Sequence, residues 1–178
     1  FCEIDTQYIA DAFNLYGLRA QVSRYKQCVE LLLGVGDSAS DREGHEQELY
    51  PHAKRLYGLI HARYILTSQG QKHMLHKYEF GDFGKCPRVL CGLANVLPVG
   101  EHAEMGRSSV KLYCPQCQDM YDPPRKCHRD IDGAYFGPSF PHLLMMVKPD
   151  SFQPKPFRVY TPRIYGFRVH DSGRNYPL

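Results

Sequence analysis

Four cysteines constrain this chain more than any other feature. Cys86 and Cys91 close the run Cys86-Pro87-Arg88-Val89-Leu90-Cys91, and Cys114 and Cys117 close Cys114-Pro115-Gln116-Cys117, with 22 residues between the pairs. Each pair can set two sulfurs on one side of a tight knuckle, and two facing knuckles make a tetrahedral four-thiolate set. Structural zinc suits such a set, and with all four positions filled it leaves no place for water or substrate, which points to scaffolding and binding. Disulfides and a redox motif are the competing readings. Disulfides favour short secreted chains, and no stretch here resembles a signal peptide. A redox Cys-x-x-Cys belongs at a helix start in a βαβ unit. Here the second pair follows the strand-like Val110-Lys111-Leu112-Tyr113 and leads into the turn-like Tyr121-Asp122-Pro123-Pro124. The expected cofactor is one structural zinc per chain on Cys86, Cys91, Cys114 and Cys117, with Cys127 beside His128 as the rival ligand. Cys2 and Cys28 lie in apolar helical patterns and read as small core residues.

Length and charge narrow the function classes. A chain of 178 residues is long enough for one or two compact domains with a buried core. The longest apolar candidate, residues 140–147, is interrupted by Pro141 and His142, and it is far short of the roughly 18 residues of a membrane span. No membrane partner is expected. Residues 1–85 hold 10 basic and 11 acidic side chains, residues 86–147 hold 6 of each, and residues 148–178 hold 6 basic and 2 acidic. A zinc module that binds nucleic acid through phosphates is normally basic, so the neutral balance around the cysteines argues against a nucleic-acid partner. A zinc adaptor for nucleic acid or transcription partners stands as the alternative reading.

Helical periodicity dominates residues 1–83. Asp5 reads as an N-cap, Ile4 and Ile9 are spaced as a hydrophobic staple, and Ile9 and Phe13 would share a face before Gly17. A second helix is expected over about 20–33, with Val22, Tyr25, Val29, Leu32 and Leu33 as its apolar stripe and Gly34 as its stop. Residues 34–48 are small, polar and mildly acidic, and read as a loop. Leu49, Ala53, Leu56, Tyr57, Ile60 and Tyr64 make the next stripe. Ser68 and Gln71 fit a capping box for a last helix carrying Met74, Leu75 and Tyr78, ended by Gly81.

The expected fold class is α+β. A helical domain over 1–83 precedes a small antiparallel zinc ribbon over 84–147, closed by a short helix at 140–147, and then an extended tail over 148–178. Strands are expected at 89–97, 109–113 and 133–136, stapled by metal because so small a sheet has little core of its own. Pro149, Pro154, Pro156, Pro162 and Pro177 oppose helix in the tail. Within it, Arg163-Ile164-Tyr165-Gly166-Phe167-Arg168-Val169-His170 reads as a short hairpin bending at Gly166, with Tyr165 and Phe167 as anchors.

Catalytic signatures fail on inspection. Asp82-Phe83-Gly84 and His128-Arg129-Asp130 mimic two protein-kinase triplets, but in reversed order and 46 residues apart. Position 135 is Tyr where the catalytic loop needs Asn, and no glycine-rich phosphate loop precedes them. His73 and His76 share a helical face without a third ligand, and His45, His52, His61, His102, His128, His142 and His170 are scattered. Asp130 and Asp132 could form an acid–base pair, but Asp132-Gly133 is a turn signal. The expectation is a protein that is not an enzyme.

Over nearly its whole length the chain resembles the regulatory beta subunit of casein kinase II. The matching stretches are Leu56-Tyr57-Gly58-Leu59-Ile60-His61-Ala62-Arg63-Tyr64-Ile65-Leu66-Thr67, Gly81-Asp82-Phe83-Gly84, Cys86-Pro87-Arg88-Val89, Val110-Lys111-Leu112-Tyr113-Cys114-Pro115, Asp132-Gly133-Ala134-Tyr135-Phe136-Gly137, Phe140-Pro141-His142 and Pro162-Arg163-Ile164-Tyr165-Gly166-Phe167. The resemblance implies zinc on Cys86, Cys91, Cys114 and Cys117, a homodimer built through the ribbons, and tails that recruit the catalytic alpha subunit of the kinase. It implies that Tyr165 and Phe167 are the tail's anchors, with Leu143 a lesser contact, and that kinase substrate proteins are further partners. The location it implies is intracellular, in cytoplasm and nucleus. One departure stands out: where the family carries a dense acidic loop, this chain has only Asp37, Asp41, Glu43, Glu46 and Glu48, diluted by Arg42 and His45.

Overall fold

A computed structural model describes residues 1–35, 42–152 and 160–170. Its elements through Phe80 are helical: α1 (Thr6–Ala10), α2 (Tyr25–Leu33), α3 (Arg42–Tyr64) and α4 (Ser68–Phe80). A three-stranded antiparallel sheet follows, in the order β1 (Leu97–Val99), β2 (Lys111–Cys114), β3 (Asp119–Tyr121). After it come two short helices, α5 (Lys126–Arg129) and α6 (Phe140–Val147), and a hairpin of β4 (Arg163–Ile164) and β5 (Phe167–Arg168). The fold is thus mixed helix and small antiparallel sheet.

The helices differ from expectation where local hydrogen bonding overrides periodicity. Ile4 and Ile9 are both buried, as a staple requires, but α1 stops at Ala10 because Asp11 is extended and its carboxylate accepts from Phe13 N (3.0 Å). Phe13 is consequently exposed rather than sharing the face of Ile9. Asp5 makes no side-chain cap, since its carboxylate accepts instead from Tyr64 Oη at 2.9 Å. The second helix begins at Tyr25, not near residue 20, because Arg24 stands in the left-handed region (φ 54°). Gly34, at φ 66°, ends it as expected, with backbone bonds back to Glu30 and Leu31.

Helix α3 runs through much of the expected loop, since residues 42–48 belong to it; residues 36–41 lie outside the described residues. Arg, Glu and Gln are good helix formers that need no buried face, so a segment without an apolar stripe is still helical here. The stripe itself lies as expected, with Ala53, Leu56, Ile60 and Tyr64 buried. Helix α4 is capped one residue earlier than expected: Thr67 Oγ1 accepts from Gly70 N (3.1 Å), while the Gln71 side chain donates to Leu66 O (3.3 Å).

In the sheet, Leu97 pairs with Tyr113 and Leu112 with Tyr121. Two expected strands give way to 3₁₀ turns: the one over 89–97 opens as the turn Val89–Cys91 and reaches strand only at Leu97, and the one over 133–136 is the turn Gly133–Tyr135. Gly92 and Leu93 stand at φ 73° and 58°, a pair of left-handed residues that no strand accommodates. At the other site Asp132 caps the turn, accepting from Ala134 N at 3.0 Å. Helix α6 forms where expected, with Pro141 in its first turn and Phe140 and Leu144 wholly buried.

Helix α3 joins the helical region to the segment after the sheet. It lies against α2 and against the 3₁₀ turn Gly133–Tyr135. Gly58 makes that second contact possible, for a Cβ there would sit 2.4 Å from the Tyr135 ring. One turn further on is His61, fully buried. Its Nε2 accepts from Cys2 N (3.1 Å), so the ring proton resides on Nδ1, which donates to Tyr135 O (2.8 Å). The rings of Phe1 and Phe136 flank it edge-on, with centroids 4.7 and 5.1 Å away. A single neutral imidazole therefore ties the N-terminal segment, α3 and the segment after the sheet into one seam.

Burial lowers the His61 pKa to about 4. An unfolded histidine titrates near 6.5, so between about pH 4 and 6.5 the unfolded chain binds the extra proton. Stability from this group is full above that window and lost as the pH falls through it, by an amount on the order of 3 kcal/mol. Urea unfolding at pH 7 and pH 4.5 checks this: His61→Gln should lower stability at pH 7 and show a smaller acid loss than the parent chain. Equal acid losses would remove His61 from the account.

Candidate metal centre and tail hairpin

The two cysteine pairs come from unlike pieces of backbone. Cys86 is anchored by its N–H on Ala94 O (2.7 Å), and Cys91 N donates to Arg88 O (3.0 Å) within the first knuckle. Cys114 ends β2, and the chain turns back through Gln118, whose left-handed backbone (φ 55°) lets its N–H reach Cys114 O at 2.8 Å. The sulfurs then converge: Cys86 and Cys117 are 3.7 Å apart, Cys91 and Cys114 are 3.6 Å apart, and all four lie within 4.8 Å of one another. A tetrahedral ion about 2.3 Å from each sulfur needs edges of about 3.8 Å, so the cluster has the dimensions of a metal site. These separations are far from the roughly 2.05 Å of a disulfide, and no helix begins at the second pair as a redox motif requires.

Among the described residues, this is the one group of three or more His, Cys, Asp or Glu able to hold a metal ion. Cys127 is not in it and lies exposed on α5. Burial pushes the Cys91 thiol up to about 11, opposed by its hydrogen bond with Cys114 and reinforced by Cys86 and Cys117, and burial likewise raises Cys114. Cys117 is different. Burial alone would raise it, but hydrogen bonds with Tyr121, Cys114, Cys86 and Arg88 outweigh that and hold it below the ordinary value. The Tyr121 hydroxyl is 3.1 Å from its sulfur. Four thiolates around a divalent ion carry a net charge of −2, so a hydroxyl donor and a guanidinium at the rim favour the deprotonated cluster. Neither Arg88 nor Tyr121 was singled out from sequence as a supporting residue. Arg88 could have been, because it lies inside the first knuckle.

The motifs discounted as catalytic have structural work. Asp82 pairs with Lys77 (2.8 Å), and Arg129 donates to Pro123 O (2.7 Å). Asp132 accepts from Ala134 N through one oxygen and from Gly106 N (2.6 Å) through the other. His73 bonds Tyr64 Oη (3.3 Å), and His76 packs on Phe80.

The tail hairpin is present where expected. Ile164 pairs with Phe167, and the loop between them is Tyr165-Gly166, both at positive φ, the primed turn that suits a tight hairpin. Tyr165 is 98% exposed and Phe167 80%. Leu143 sits on α6, at the edge of exposure, with Met146 and Val147 exposed on the same helix. Val89 projects from the first knuckle at 93% exposure.

The family model for the casein kinase II regulatory subunit matches residues 1–168. The chain belongs to that family. It is 52% identical over 170 residues to casein kinase II subunit beta of Schizosaccharomyces pombe, covering 96% of this chain and 73% of that protein. It is 44% identical to casein kinase II subunit beta' of Drosophila melanogaster (97% of this chain, 78% of that one) and 44% identical to subunit beta' of Saccharomyces cerevisiae (98% and 69%). The family is one of regulatory, non-catalytic subunits, which agrees with the failure of the kinase-like triplets above.

Comparing buried Cys114 with exposed Cys127 separates structural from incidental roles. Cys114→Ser, at a wholly buried position in the cluster, should lower unfolding free energy by at least about 3 kcal/mol. Cys127→Ser should change it by less than about 0.5 kcal/mol, both read from denaturant titration.

Proposed function

We propose that this chain is the non-catalytic regulatory subunit of a casein kinase II-type serine/threonine kinase, and that its tail hairpin docks the catalytic alpha subunit. The observation that carries the docking reading is the display of Tyr165 and Phe167. Two large aromatics held mostly in solvent, one in a two-residue turn and one on the strand residue next to it, are what an interface anchor looks like before its partner arrives, since binding energy concentrates in a few buried aromatics. Leu143 on α6 is a lesser contact in this reading.

The metal is zinc, one per chain, held by Cys86, Cys91, Cys114 and Cys117. All-sulfur donors at tetrahedral spacing favour it, and a closed set gives it a structural task. In this reading residues 84–147 are a zinc ribbon following a helical domain over 1–83, and 148–178 form the partner-binding tail. Two ribbons join in a homodimer, for which the exposed Val89 offers apolar surface. Such a dimer presents two tails, modulating the stability, activity and substrate choice of the catalytic subunits it gathers. Substrate proteins are then secondary partners, and the setting is intracellular, in cytoplasm and nucleus. Family membership and the neutral charge around the cysteines disfavour the nucleic-acid adaptor. Among the described residues no helix is long and apolar enough to cross a membrane.

Two measurements test this. Elemental analysis of the folded chain should find about one zinc per chain, and a value well below that overturns the metal assignment. Tyr165→Ala combined with Phe167→Ala should weaken binding of the catalytic subunit at least about 100-fold, each hot-spot aromatic contributing on the order of 2–4 kcal/mol. Unchanged affinity in calorimetry would show that the docking surface lies elsewhere.

A further inference from the structure

The strands of the tail hairpin are two residues each, and even longer isolated hairpins are marginal in water. Two further features oppose closure. The loop residues stand at φ 48° for Tyr165 and 87° for Gly166, which suits glycine but strains a bulky aromatic. Strand pairing also sets Arg163 opposite Arg168, and like charges directly opposite destabilise a ladder.

Two hydrogen bonds work against this. Val169 N donates to Pro162 O (3.0 Å) at the open end of the hairpin. Arg163 Nη1 donates to Gly166 O (2.9 Å), so its guanidinium spans the loop itself. A bond from a charged donor is stronger than a neutral one, and it commits the Arg163 charge to a carbonyl on the turn. The Arg168 side chain makes no hydrogen bond or ion pair among the described residues.

We infer that Arg163 is a positioning residue: its guanidinium holds the Tyr165-Gly166 turn closed before a partner arrives, so that Tyr165 and Phe167 are presented already arranged for docking. This rests on the docking function proposed above. A partner binds only the closed turn, and affinity falls in proportion to the fraction of chains that have it. The two arginines of the hairpin are therefore unequal, although they match in type and face each other across the strands.

The full chain supplies the test, with two readouts. Hydrogen exchange at Val169 N–H reports closure of the free hairpin, and calorimetry reports affinity for the catalytic subunit. Arg163→Ala should speed Val169 exchange and weaken binding, each about fivefold, while Arg168→Ala leaves Val169 exchange within about twofold of the parent. Gly166→Ala opens the turn by another route, because a methyl there meets nothing within 4 Å but the φ of 87° is strained for alanine. It should reproduce both effects of Arg163→Ala, and the double variant should be less than additive. Unchanged Val169 exchange in Arg163→Ala overturns the inference, and so does an equal speeding by Arg163→Ala and Arg168→Ala, which would reduce Arg163 to a general charge effect. The exchange readout needs no partner. Failure of the docking reading, seen as intact binding after loss of Tyr165 and Phe167, is thus a separate result from failure of the turn clamp.

Discussion

Three strands of three or four residues cannot hold a fold by themselves, because so small a sheet has almost no interior to bury. The rest of the C-terminal half depends on how that deficit is met. Four sulfurs drawn within 4.8 Å of one another, able to hold a metal ion and packed with Val96 and Leu112, supply one support: they bring the turn before β1 against the end of β2 and the turn after it. The second support is α3, whose glycine and histidine receive the segment that follows the sheet. The small sheet is therefore clamped from two sides by chemistry that is not its own core.

Features that arise from neighbouring residues were legible in the sequence. The helix stops at Gly34 and Gly81, the stripe on α3, the span of α6 and the bend of the tail hairpin all follow from local conformational preference or from apolar spacing. The cysteine cluster was legible for the same reason, since each knuckle is a local object. What was missed depends on contacts across the chain or on one backbone angle. Residues 89–91 have the apolar character of a strand, yet they form a 3₁₀ turn, and two left-handed residues after them interrupt the run before β1 begins. Strand β3 has no alternating pattern and exists because β2 offers it an edge. His61 looked like any scattered histidine; its importance comes from Cys2 and Tyr135, residues 59 and 74 positions away.

The same division applies to the site. The cysteine cluster and the proposed anchor aromatics were read from spacing and resemblance, and Arg88 was open to the same reading from its place inside the first knuckle, whereas Tyr121 and Arg163 show their roles only once the chain is folded. All three are polar side chains bearing on something else: two on a sulfur and one on a turn. Residues of this kind leave no periodic trace, because a single contact in three dimensions determines where they are needed.

The seam at His61 has a consequence for how the molecule responds to its surroundings. Its bonds are between neutral groups, and its packing is aromatic. The five ion pairs among the described residues lie elsewhere, each within the helical region or within the region around the sheet. Screening by dissolved ions weakens exposed charge pairs and leaves neutral buried bonds nearly untouched. The junction between the two halves is accordingly indifferent to ionic strength, while the cationic tail is not. A rise in ionic strength should therefore alter what the tail attracts while the platform that carries it keeps its shape.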